Sequence, residues 1–239
     1  MQNSSISVPE IEIELICVDR PVLAANKPGG LLTEAPLGIA SLVSDVKAYL
    51  KRIHDKPGNV YLGIPHRLDR PVSGVILFAT NSKGAARLSE EFEQRRVIKS
   101  YQVCVEGAVE PGEGQWVDWL LKREGTAHVD VVPAGTAKAK EARLSYRVVK
   151  VDDGMSLLDI NLETGRMHQI RVQCAARGHA VIGDVQYGST RDLIGPVSDD
   201  PRDRPIALHA NAIQFRHPVR YDTVTVEAPL PAYWPLPIA

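Results

Sequence analysis

The densest group of reactive side chains in this chain is His66-Arg67-Leu68-Asp69-Arg70-Pro71-Val72-Ser73, which runs directly into the apolar stretch Gly74-Val75-Ile76-Leu77-Phe78-Ala79. An apolar run of this kind reads as a strand buried on both faces. A turn at its entrance therefore holds Asp69 on a rigid edge. With guanidinium groups close by, a carboxylate stays ionised at neutral pH, which is the state a catalytic carboxylate needs. His66, Arg67 and Arg70 surround Asp69 in sequence. Cations around one acid describe either a salt-bridge cluster or an anion-binding site with a reactive carboxylate, and residue types alone leave both open.

A second block reads Gly165-Arg166-Met167-His168-Gln169-Ile170-Arg171-Val172. On a helix His168 and Arg171 are three apart and share a face, so Arg171 can be aimed into a cleft while Ile170 and Cys174 turn to the core. The same spacing also fits a charged helix with an apolar stripe. Downstream, Gly178 to Gly188 holds three glycines and little charge, suited to close backbone packing or tight ligand approach. Lys99-Ser100-Tyr101 opens a strand, and its tyrosine either packs half-buried or stacks on a flat ring such as a nucleobase. Basic residues gather twice, at Lys138, Lys140, Arg143, Arg147 and Lys150, and at Arg95, Arg96 and Lys99. Each group is a solvated surface unless both flank one cleft, in which case they suit a phosphate backbone.

The elements that position these residues follow from periodicity and turn chemistry. Strands are expected at 11–18, 22–26, 74–80, 97–106, 115–121, 127–132, 139–150, 155–162, 206–214 and 222–228. The 97–106 strand is expected to alternate, and Leu144, Tyr146 and Val148 share one face of the 139–150 strand. Helices are expected at 37–51, carried by Ile39, Leu42, Val43, Val46 and Leu50, at 82–94, and at 167–177 with a stop at Gly178. Residues 189–205 read as a long surface loop. Residues 1–10 and 229–239 read as loosely ordered tails. This is a strand-rich α/β mixture without regular βαβ alternation, and a single domain, 1–239, is the reading adopted.

The totals narrow the function class. A chain of 239 residues with 44% apolar content can bury a sizeable core. The net charge of −1 gives no global sign of a polyanionic partner, so any such site must be local. Cys17, Cys104 and Cys174 are odd in number and lie among apolar neighbours, which reads as buried, reduced thiols in a cytoplasmic protein. No basic-then-apolar leader and no apolar run near ~20 residues is present, so neither a signal peptide nor a membrane helix is expected. No metal-spaced Cys/His pairs and no phosphate loop occur.

Taken together and in order, these blocks resemble the RluA-type RNA pseudouridine synthases. The resemblance rests on Asn26-Lys27-Pro28 through Gly30, His66 to Ala79, Lys99-Ser100-Tyr101, and Gly165 to Gly188 with its Gly183-Asp184 and Tyr187-Gly188. Val72, Met167, Ala180 and Glu34 depart from the family pattern. The resemblance implies an α+β fold: a mixed, mostly antiparallel central sheet with flanking helices and a catalytic cleft. It implies an isomerase that converts uridine in ribosomal or transfer RNA to pseudouridine with no metal, nucleotide or redox cofactor, which the absence of metal-spaced Cys/His pairs and of a phosphate loop fits. It further implies that Asp69 is the essential carboxylate, either attacking C1′ or removing the 2′ proton. Arg171 is expected to pair with Asp69, and Tyr101 to stack on the base and to accept or donate a proton. Arg67 is expected to fill the place the base vacates, and Leu68 and Ile170 to line the pocket. His66, Arg70, Lys99, Arg166, His168 and Gln169 complete the expected RNA contacts. The family's small S4-type domain is expected to be absent, and the enzyme to be a monomer. Two other readings compete: a non-catalytic RNA-binding protein of the same fold, against which the presence of Asp69 counts, and a metal-dependent hydrolase using His66, Asp69 and His168, which excess chelator would silence.

Overall fold

A computed structural model describes residues 14–55, 57–193, 195 and 200–236. The expected tail 1–10, the start of the first expected strand, the C-terminal residues 237–239 and parts of the 189–205 loop lie outside them. Ten strands form one sheet: β1 (Glu14–Asp19), β2 (Val22–Lys27), β3 (Ser73–Ala79), β4 (Ile98–Glu106), β5 (Glu113–Lys122), β6 (Val129–Val132), β7 (Lys140–Asp152), β8 (Met155–Leu162), β9 (Leu208–Arg216) and β10 (Thr223–Glu227). Their order is β1-β2-β3-β9-β4-β8-β7-β5-β6, with β10 paired to β9. Every pairing is antiparallel except β3 with β9, where Ser73 faces His209 and Gly74 faces Ala210. Insertion of the late strand β9 between β3 and β4 brings the Asp69 turn and the Lys99–Tyr101 segment to one region of the sheet. Gly74 makes that insertion feasible. Its φ is +117°, and an added Cβ would come 2.3 Å from the Ala210 carbonyl oxygen.

β3 is buried at all seven positions, as a strand covered on both faces must be. β4 does not alternate as expected. Gln102, Val103, Cys104 and Val105 are all buried, because the C-terminal segment lies behind this strand and its Leu236 backbone meets the Cys104 thiol. Residues 229–236 carry no regular element, yet Trp234 and Leu236 are buried in the core, so this part of the tail is packed rather than loose. Cys104 and Cys174 are buried free thiols, whereas Cys17 is only half-buried, on the outermost strand β1.

Among the described residues three α-helices pack on this frame, with short 3-10 turns at Val185–Tyr187 and Pro201–Asp203. α1 (Leu42–Ile53) begins later than its apolar spacing suggests. Ser41 caps it in a reciprocal box with Ser44, and Pro36 to Ile39 forms a turn that leaves Ile39 exposed. α2 (Ser82–Glu93) is capped by Asn81, whose side chain accepts from the Gly84 amide at 2.7 Å, and it buries Leu88. α3 (Gln169–Ala175) is shorter than the expected 167–177. Its inner side joins two clusters: Ile170 and Cys174 enter the main core, while Val172 packs with Leu120, Val129 and Ala142. Among the described residues no helix is long and apolar enough to cross a membrane.

Candidate active site

The Asp69 turn, the start of β4 and the entry to α3 enclose an open cleft of about 640 Å³. The turn itself is tight, with the Val72 amide donating to the Asp69 carbonyl at 3.1 Å. It is fixed from two sides. The Thr33 hydroxyl donates to the Leu68 carbonyl at 2.8 Å and accepts from the Leu68 amide at 3.2 Å. Behind the turn, Lys27 is fully buried. Its Nζ donates to the carbonyls of Pro28 (2.9 Å), Leu31 (2.7 Å) and Arg70 (3.1 Å). Burial pulls the Lys27 ammonium down to about 7, with the field of Asp69 opposing that shift and Arg70 adding to it. Lys27 therefore braces the chain next to Asp69 rather than reaching into the cleft.

Asp69 remains about one-third exposed, with its Oδ2 3.7 Å from Arg171 Nη1 and 3.8 Å from His168 Nε2. The expected Arg171–Asp69 pairing is thus present, but it is the weaker half of the arrangement. Arg171 is buried, and its Nε and Nη2 donate to Asp184 at 2.6 and 2.8 Å, with a further bond from Nη2 to Gln186 at 2.9 Å. Asp184 is itself 1% exposed. Burial works against the Arg171 charge, but the hydrogen bonds and field of Asp184, with Asp69 adding to them, outweigh it and raise the guanidinium's pKa. Tyr187 completes the support. Its hydroxyl bonds His168 Nδ1 at 2.9 Å, and its ring lies under the Arg171 guanidinium at 5.0 Å. Asp184 and Tyr187 support the site, and sequence reasoning assigned neither a role: their Gly183-Asp184 and Tyr187-Gly188 pattern entered the resemblance, and the run around it reads as close backbone packing or tight ligand approach.

His168 is not on α3, contrary to the helical reading. It precedes the helix in a left-handed conformation, φ +52°. A non-glycine residue there is uncommon and turns the imidazole toward Asp69. Burial lowers its pKa, with Asp69 opposing. Gln169 has its head group occupied: its oxygen accepts from Thr164 (2.8 Å) and the Arg166 amide (3.1 Å), and its nitrogen donates to the Arg143 carbonyl (3.0 Å). It fastens the start of α3 to β7, so the structure makes it a positioning residue.

Tyr101 lines the cleft beside Asp69 without a hydrogen bond among the described residues. Burial, then the Asp69 charge, pushes its phenol well above the usual range. The phenol therefore stays protonated at neutral pH and can donate from its hydroxyl. Leu68 and Ile170 form apolar wall, and Arg67 projects exposed from the rim.

Two expected contacts are redirected. His66 borders the cleft, but its Nε2 accepts from the Leu77 amide at 2.9 Å and its ring stacks on Phe92 at 4.6 Å. Burial, with Lys99 assisting, holds it neutral by lowering its pKa to about 3. Arg70 leaves the cleft altogether. Its Nε donates to the Gly30 carbonyl at 3.1 Å and its Nη2 pairs with Asp203. A His66–Asp69–His168 metal set is thereby broken at His66, and no group of three metal-type side chains forms among the described residues. The larger basic cluster does not flank the cleft as a unit either, because Lys138, Arg143, Arg147 and Lys150 are paired with Glu124, Glu141, Asp159 and Asp152.

With the cleft described, relatives can be compared. Residues 21–176 match the family described as RNA pseudouridylate synthase. The chain belongs to that family. It is 30% identical over 97% of its length to the uncharacterized RNA pseudouridine synthase YhcT of Bacillus subtilis, covering 74% of that protein. It is also 30% identical to tRNA pseudouridine synthase C of Haemophilus ducreyi, covering 94% of this chain and 93% of the relative. The ribosomal large subunit pseudouridine synthase D of Zymomonas mobilis is 28% identical over 93% of this chain and 70% of its own. The solved human RNA pseudouridylate synthase domain containing 4 shares the fold, with a TM-score of 0.74 at 21% identity, covering 92% of this chain and 89% of that one. The enzyme is accordingly an isomerase, an RNA pseudouridine synthase with the mixed, mostly antiparallel sheet that the resemblance implied.

Proposed function

We propose that this synthase isomerises uridines in structured ribosomal or transfer RNA, with Asp69 as the essential carboxylate, Tyr101 as the base platform and Arg171 as the group that orients Asp69. The observation that carries this reading is the placement of Asp69 Oδ2, 3.7 Å from a buried guanidinium yet open to a cleft that also holds Tyr101. A uridine swung out of its stack, at a cost of a few kcal/mol, presents its ribose to that oxygen. Arg67 at the rim takes the place the base leaves in the helix. The N1–C1′ bond breaks, the uracil turns against Tyr101, C5 bonds to C1′, the C5 proton leaves and N1 takes up a proton, so no atom is gained or lost overall.

Asp69 acts either by attack at C1′, as a retaining glycosidase carboxylate does, or by removing the 2′ proton. Both routes need the same ionised, oriented carboxylate, and a 2′-deuterated uridine distinguishes them, since only the second breaks that bond. We propose further that the enzyme acts as a monomer, and an RNA substrate of this class supports action in the cytoplasm. Mapping pseudouridines in cellular RNA with and without the protein, and with its Asp69→Asn variant, tests the reading. A site lost in both the deletion and the variant is the expected result, and a variant that restores the site would refute it.

A further inference from the structure

At the end of the cleft formed by Arg95, Lys99 and Arg166, cations converge that the bond-making chemistry does not use. Arg95 follows the last turn of α2, where the Arg95 amide donates to Phe92 and the Arg96 amide to Glu91. That is the helix-ending arrangement whose left-handed position favours glycine. Here Arg95 occupies it, with φ +56°. Holding an arginine in that conformation has a backbone cost, and the conformation turns its side chain into the cleft while the next residue, Arg96, pairs with Glu91 at 2.6 Å.

Lys99 lies beyond, at the start of β4. A Cβ added to Gly165 would stand 3.4 Å from its Nζ, so the ammonium rests over the Gly165 backbone. Burial first, then the neighbouring Arg95 and Arg166 charges, lower its pKa. Arg166 spends its Nε on the Glu141 carbonyl at 2.9 Å and keeps its terminal nitrogens for the cleft. The acids on this wall are Glu93 and Glu163, with Glu163 accepting from Gln115 at 2.7 Å; the Glu141 carboxylate lies in the field of Arg95 and Arg166 but takes its hydrogen bonds from Arg143, at 2.7 and 3.3 Å.

We infer that Arg95, Lys99 and Arg166 seat one phosphodiester group of the RNA strand, adjacent to the target uridine. The inference rests on the functional reading above. Lys99 and Tyr101 are two residues apart on one strand face, so the seat lies about 7 Å along from the base platform, roughly one nucleotide away. Guanidinium groups supply forked donors for the non-bridging oxygens, and the ammonium adds a point charge.

The test uses the full chain and a labelled oligouridine strand, with fluorescence anisotropy at several potassium chloride concentrations. Arg95→Gly is expected to weaken binding about fivefold and to reduce the salt slope by about 0.7, the loss of one single-strand phosphate contact. The same variant should melt at or above the wild-type temperature, because glycine suits the left-handed position. Arg96→Ala should bind within twofold of wild type. The inference is overturned if Arg95→Gly binds as wild type does, if Arg96→Ala loses as much affinity, or if the wild type does not bind the strand. Pseudouridine formation is not read in this assay, so its failure leaves the role of Asp69 standing. A protein that binds the strand but forms no pseudouridine in cellular RNA sinks the functional reading instead.

Discussion

Replacing Asp184 by Asn separates the two acids that share Arg171. The substitution keeps the volume and removes one charge from a pair whose members are 3% and 1% exposed. Breaking a buried ion pair from one side leaves an uncompensated charge and costs about 3–5 kcal/mol. For a chain of this size each kcal/mol shifts the melting temperature by about 2–4 °C, so Asp184→Asn should melt on the order of 10 °C lower. Activity should fall as well. Once the 2.6 and 2.8 Å bonds from Arg171 to Asp184 are weakened, the guanidinium is free to close on Asp69 and displace it. A misplacement of about 1 Å costs on the order of 100-fold in rate. Thermal unfolding and single-turnover pseudouridine formation measure the two effects. The double variant Arg171→Met/Asp184→Leu checks the cause: it should recover most of the lost stability, since an apolar pair replaces the buried ions, and yet remain inactive. An Asp184→Asn protein with wild-type melting and wild-type turnover would refute the reasoning.

Asp69→Asn should abolish turnover while leaving the melting temperature and RNA affinity near wild type, because Asp69 is partly exposed and makes only the long 3.7 and 3.8 Å contacts; a large drop in stability would make it a structural anchor. Tyr101→Phe keeps the ring and removes the protonated hydroxyl beside Asp69, so kcat should fall at least tenfold with KM little changed, and an unchanged kcat would confine Tyr101 to stacking. His66 and His209 are held neutral by burial at about 3 and about 4. In the unfolded chain both protonate near pH 6.5. The unfolded state thus binds more protons across that window, and stability falls as the pH drops through it. Proton NMR of the seven histidines should find at least two rings still neutral at pH 5, and full protonation of all seven there would contradict the packing around Leu77 and Ser73.

The site was legible in the sequence where function is carried by local order. His66 to Ala79 gave both the carboxylate and the buried strand behind it, and Gly165 to Arg171 gave the cation that faces it. What the sequence left open is which atoms meet. Arg70 is adjacent to Asp69, yet its side chain leaves on the far side of the turn toward Gly30 and Asp203, and no local pattern encodes that exit. His66 and Gln169 carry polar heads suited to RNA, but backbone groups from β3 and β7 occupy them first. Lys27 entered the sequence reading only through the Asn26–Gly30 pattern, which does not say that three carbonyls close around its ammonium. The sheet order was hidden for a related reason. β9 pairs with β3 across more than a hundred residues, and periodicity, being local, carries no record of a partner.

The geometry around Arg171 also shows how a carboxylate proposed for catalysis can keep an arginine close without being silenced by it. A direct two-bond pair with Asp69 would satisfy both carboxylate oxygens and block the approach of a ribose. Here those two bonds go to Asp184, which is buried and cannot meet substrate. The remaining Nη1 stands 3.7 Å from Asp69, close to it but too far for a hydrogen bond. Tyr187 locks the same assembly from below through His168 and the guanidinium face. One acid therefore fixes the cation, and the cation stands beside the other acid, which stays unbonded and open to the cleft. In this arrangement rigidity and reactivity reside on different carboxylates, and it requires Asp184→Asn and Asp69→Asn to fail in different assays.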